Sequence, residues 1–105
     1  MLDIKAWLAI TGIENEENYY FSPPSMPYIL FLDNQDWRGA DGINNICERS
    51  ISLELYSETI DKISEQKIED ILNMSGYQFT KNRLWIADSL DAFQTTYDFS
   101  LVEKS

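Results

Sequence analysis

The pattern of apolar and polar positions changes period once, and the rest of the chain can be arranged around that change. Ser50-Ile51-Ser52-Leu53-Glu54-Leu55-Tyr56 alternates strictly, and the residues after it place Ile60, Ile63, Ile68, Ile71 and Leu72 at helical spacing. A strand leading into an amphipathic helix is predicted. Ser57-Glu58-Thr59 offers a capping hydroxyl, and Glu58 and Asp61 lie where the helix dipole favours negative charge. Gly76 marks the stop. Lys62, Glu65, Gln66, Lys67, Glu69 and Asp70 are mixed in sign and read as the solvated face of this helix.

Upstream, residues 3–11 form a short helix: Asp3 is the cap, Ile4, Trp7 and Leu8 form the apolar stripe, and Gly12 ends it. Residues 13–26 are polar and then aromatic, and Pro23-Pro24 excludes a helix there. Pro27-Tyr28-Ile29-Leu30-Phe31-Leu32-Asp33 is a nearly continuous apolar run, expected of a central strand. Residues 34–45 are rich in turn formers and read as a long loop, and the next strand spans Ile46–Tyr56.

After the helix, Tyr77 and Phe79 point one way, whereas Leu84 and Ile86 have the opposite parity, so a bulge or turn is expected at Lys81-Asn82-Arg83. Asp88-Ser89-Leu90-Asp91 is a polar connector. The last strand is the clearest, with Phe93, Thr95, Tyr97, Phe99 and Leu101 alternating with polar residues. The order is α-β-β-α-β-β, which implies an α+β domain: a mostly antiparallel four-stranded sheet with two helices packed on one face. Its edges invite pairing with another copy.

A chain of 105 residues is one domain, residues 1–105, and its 44% hydrophobic and 13% aromatic content is enough for one core. Net charge is −10, with no acidic tail, since residues 1–45 and 46–105 carry −5 each. Such a surface repels nucleic acid at long range and offers no phosphate-tracking patch, so tight nucleic-acid binding is not expected. The N-terminal apolar run, with charges inside it, is too short for a secretory signal or a membrane span, and Lys5 alone is a poor basis for a membrane anchor. One cysteine, Cys47, implies a reducing compartment such as cytoplasm.

There is no histidine, which removes the usual general base, the Ser-His-Asp and Cys-His arrangements and the commonest metal ligand. One cysteine cannot build a zinc site, and no phosphate loop or dinucleotide fingerprint occurs. Asp33, Asp36 and Asp41 lack the glycine that an EF-hand turn requires. No enzymatic activity, metal or cofactor is expected, and binding or assembly is left. Asp36, Trp37, Arg38 and Asp41 are the first interface candidates, because tryptophan and arginine concentrate where partners meet. The bland alternative folds Trp37 back as a lid and pairs Arg38 with an acid. Tyr19, Tyr20 and Phe21 are secondary candidates, or a cover for a core edge.

The short N-terminal helix, the Pro-rich loop, Pro27–Asp33, Ser50–Glu58, the amphipathic helix and Phe93–Phe99, in that order, resemble the tail terminator or tail completion proteins of long-tailed bacteriophages and prophages. The resemblance spans nearly the whole chain. It implies a homo-oligomer, usually a hexameric ring, at the head-proximal end of the tail. Its partners would be the tail tube protein and a head-completion (connector) protein, and its location the virion, after assembly in host cytoplasm. DNA would pass through the ring, and acids lining the channel would keep it from sticking. The other class of reading is an acidic monomeric or dimeric binding module, an inhibitor or nucleic-acid mimic.

Overall fold

Residues 1–39, 46–88 and 90–104 are described by the computed structural model. The Asp3 carboxylate accepts the Ala6 N–H at 3.1 Å and caps α1 (Ile4–Leu8), as expected of that residue. A 3-10 turn, Ala9–Thr11, follows, and Gly12 ends it at φ 75°, in the left-handed region that glycine enters without a Cβ clash. Next come β1 (Glu14–Glu17), β2 (Tyr28–Arg38), β3 (Ile46–Ser57), α2 (Lys62–Met74), β4 (Thr80–Ile86) and β5 (Ala92–Lys104). Asp61 itself caps α2, accepting the Ser64 N–H at 3.0 Å, so the hydroxyls of Ser57 and Thr59 are not the cap.

The chain is α+β, but among the described residues its sheet has five strands, not four, in the order β1-β2-β3-β5-β4. β1 runs parallel to β2 and every other pair is antiparallel, so the sheet is mixed. The additional strand is Glu14-Asn15-Glu16-Glu17, whose polar composition conceals it: at a sheet edge, carboxylates deter pairing with another chain. β2 also runs further than its apolar run suggests. Its ladder with β3 continues from Tyr28 opposite Tyr56 to Arg38 opposite Ile46, absorbing the first five of the twelve residues of the expected loop. Residues 40–45, with Asp41, lie outside the described residues, as does Ser89 of the connector.

β4 pairs residue for residue with β5 from Thr80 to Ile86, and no bulge interrupts it. The parity puzzle resolves because Lys81 and Arg83 face the helices, in register with Tyr97 and Thr95, while Leu84 and Ile86 face away. Under the helices the core is Ile29, Phe31, Ile51, Leu53, Leu55, Tyr97 and Phe99 from the sheet, with Ile4, Trp7, Leu8, Ile68, Ile71 and Leu72 from α1 and α2. Both helices therefore cover one face. Trp7 fixes α1 in place: its ring meets Phe99 and Tyr77, and its indole N–H donates to the Ser75 hydroxyl at 3.0 Å.

The apolar stripe of α2 differs from expectation at its start. Ile60 and Ile63 are exposed, and Ser64 and Glu65 are buried in their place. Glu65 is not on the solvated face because two cations of β4 come to meet it. Arg83 Nε and Nη2 donate to its two oxygens at 2.8 and 2.6 Å, Lys81 Nζ lies at 2.9 Å, and the Thr95 hydroxyl donates at 3.0 Å. Lys81 also reaches Glu69 at 2.7 Å, and Glu69 accepts the Tyr97 hydroxyl at 2.8 Å. Burial alone would raise the Glu65 carboxyl pKa, but the bonds from Arg83, Lys81 and Thr95 outweigh it and lower it from 4.5 to about 2.

A carboxyl whose folded pKa is depressed stabilises the fold above its unfolded pKa and loses that contribution as pH falls through the folded one. Glu65 therefore accounts for roughly 3 kcal/mol at neutral pH, lost between about pH 4.5 and pH 2. In urea titrations across that range, Glu65→Gln should be the less stable protein at neutral pH and converge with the parent towards pH 2. Acid limbs that run parallel would contradict this.

Candidate functional site

The opposite face of the sheet has no helix against it among the described residues. Its rows follow from the register. Asp36, Glu48 and Val102 lie side by side, then Asn34, Ser50 and Ser100, then Leu32, Ser52, Asp98 and Thr80, then Leu30, Glu54, Thr96 and Asn82. Small hydroxyl and amide side chains keep this surface flat, and the Ser52 hydroxyl bonds to the Asp98 carboxylate. At one end an aromatic ladder closes the face: Tyr20 meets Tyr28 edge-on at 5.4 Å, Tyr28 stacks on Tyr56 at 5.2 Å, and Gln94 donates to the Tyr56 hydroxyl at 2.7 Å. At the other end, the outermost row, Arg38, Ile46 and Lys104, holds the cations of this surface on β2, β3 and β5.

The described molecule is long, 49 × 28 × 21 Å, with a radius of gyration of 15.0 Å against the roughly 13 Å expected of a compact chain this size. The excess is the far end of β2, β3 and β5, which projects beyond the helices. Where helix cover ends, Arg49 takes over. Its side chain is 2% exposed and forks onto Asp33, with Nε donating at 3.1 Å, while Nη1 bonds to Glu103 and donates to the Leu2 carbonyl at 2.8 Å. Leu2 returns its N–H to Glu103 at 3.1 Å, so the N-terminal residues are strapped over the guanidinium. The bond to Asp33, against the opposing effect of burial, raises the Arg49 pKa further, with Glu103 adding to it, so this centre stays charged.

The candidates read from the sequence fall into two patches. Asp36, Trp37 and Arg38 are exposed on the projecting end of β2, with Trp37 on the helix side and its two neighbours on the open side. Trp37 is 48% exposed, with its indole N–H donating to Gln35 at 3.2 Å, and is not folded away as a lid. Arg38 pairs with Glu48, and both side chains are more than half exposed, so solvent leaves the pair worth at most about 1 kcal/mol. Asp33 is bound to Arg49 on the helix face and Asp36 lies on the other, so these two cannot share one cation.

The second patch is the turn after β1, where Tyr19 and Phe21 are exposed and Tyr20 half-buried against Tyr28. Trp37 lies nine residues beyond Tyr28 along one strand, about 30 Å away. The structure does not merge the two patches. Compared with protein-family models and with curated proteins, the chain matches none.

Sequence reasoning missed both buried charge centres, and parity was the signal. Asp33, Arg49 and Glu103 occupy the same alternation as Phe31, Ile51 and Leu101, so three charges sat at core positions of three adjacent strands. Truncation of Arg49 leaves two carboxylates without their cation. Arg49→Ala should cost about 3–5 kcal/mol in urea unfolding, whereas Asp36→Ala on the open face should stay within about 0.5 kcal/mol. Equal effects would mean that the Arg49 centre is not the closure described.

Proposed function

We propose that this chain is a structural subunit of virion assembly of the tail terminator or tail completion type. It acts by shape, closing into a hexameric ring at the head-proximal end of a phage tail tube, stopping tube growth and presenting the surface on which the filled head docks. Its partners are its own copies, the tail tube protein and a head-completion protein. It works in the virion after assembly in host cytoplasm, without catalytic chemistry or a cofactor.

One observation carries this reading: a sheet about 40 Å long keeps one face free of helices among the described residues. Along that face lie Asp36, Glu48, Glu54 and Asp98, with Arg38 and Lys104 confined to the outermost row. Turned towards a channel, this surface would let DNA slide without adhering. Exposed aromatic residues at two separated patches suit contacts between subunits and with the tube. Among the described residues no helix is long and apolar enough to cross a membrane, and no three acids or cysteines gather as a metal site.

Light scattering of the purified protein should give the mass of a ring, and negative-stain images of its mixture with tail tubes should show tubes capped at one end. A lone subunit at high concentration that ignores tube ends would overturn the proposal. Salt-sensitive DNA binding by the purified protein would sink the channel assignment, whereas a monomer or dimer that captures a basic partner would favour the nucleic-acid mimic.

A further inference from the structure

The turn after β1 has the composition of a cation trap. Glu16, Glu17, Tyr19, Tyr20, Phe21 and Ser22 line one surface concavity. The Phe21 ring is 99% exposed and Tyr19 is 67% exposed, both on a segment stiffened by Pro23-Pro24. Exposed aromatic rings beside carboxylates attract guanidinium and ammonium groups through ring face and charge together. Glu16 already holds Lys5 at 2.8 Å, whereas Glu17 pairs with no cation among the described residues. The local potential is negative: after burial, the charges of Glu14 and Glu16 are what push the Tyr20 phenol pKa up.

A partner cannot enter here by adding a strand to the end of β1. The Glu17 N–H already donates to the Glu16 carboxylate at 3.0 Å, and the Glu17 carbonyl already accepts the Tyr19 N–H at 2.8 Å. Asn18 turns its N–H inward, to Phe31, at 2.9 Å. Recognition at this turn must therefore run through side chains. Arginine suits it better than lysine, because a planar guanidinium can stack on a ring while it forks onto a carboxylate.

The molecule presents such a group at its other patch. Arg38 stands on the projecting end of β2 beside exposed Trp37, and among the described residues its ion pair is the solvent-exposed one with Glu48. Glu17 lies opposite Phe31, seven residues or about 23 Å of strand from Arg38, so a subunit's own Arg38 cannot reach its own turn. We infer that the Trp37–Arg38 end of one copy docks in the Glu17–Tyr19–Phe21 turn of the next. Two different, complementary patches on one subunit make a heterologous contact, which closes into a ring when the rotation permits. This docking deepens the ring reading and rests on it.

Charge reversal tests it, with light scattering over a dilution series as the readout and circular dichroism as the check on folding. Arg38→Glu and Glu17→Arg lie on exposed side chains and should each leave the fold intact while weakening assembly about thirtyfold or more. The double variant, which reverses both partners, should regain much of the native assembly. Native-like rings from either single variant, or a double variant no better than the singles, would overturn the docking and leave the ring. A closed two-copy particle with the same charge-reversal behaviour would overturn the ring and keep the docking. A native chain that stays monomeric overturns both.

Discussion

A sheet about 40 Å long lies under helices of which the longer reaches only half that length, and the rest of the structure answers to this mismatch. α2 has 13 residues and spans about 20 Å, while β5, also of 13, spans about 43 Å. α1 adds a turn and a half. With that much helix, one face of the sheet can be covered over part of its length, and among the described residues the other face has no helix against it, with Tyr20 covering Tyr28 at one end. The small hydroxyls, amides and acids that make up much of the open face suit this exposure to water, although Leu30, Leu32, Leu84 and Val102 also lie on it.

The margins of the covered region are where charge enters the interior. On one flank α2 reaches the edge strand β4, and Glu65 meets Arg83, Lys81 and Thr95. At the end of the sheet Arg49 gathers Asp33, Glu103 and the Leu2 carbonyl. Buried ion pairs repay their desolvation only when nearly every donor and acceptor is used, as both centres do. Their gain is specificity: a slip of one residue in β3 or β4 would turn Arg49 or Arg83 to the open face and strand the carboxylates beneath the helices.

Much of this was legible in the sequence. The caps at Asp3 and Gly12, the stripe Ile4-Trp7-Leu8, the alternation of β3 and β5, and the stop at Gly76 all follow from local rules. What was not legible depends on contacts between elements. β1 is polar because it is an edge, β2 continues through turn formers because β3 pairs with it, and Lys81 and Arg83 mimic a bulge because their acids come from a helix. The interface candidates Trp37, Arg38, Tyr19 and Phe21 are on the surface, as contact residues must be. That they form two distant patches could be seen only once β2 was known to run unbroken between them.

One-sidedness is the property on which the account of fold and of assembly both stand, and side-chain chemistry can read it directly. Carbodiimide labelling of carboxylates in the native protein, followed by mass spectrometry, should modify Asp36 and Asp98 on the open face readily and leave Glu65 untouched until the protein is unfolded. Protection of Asp36 and Asp98 in the isolated subunit, or ready labelling of Glu65, would contradict it.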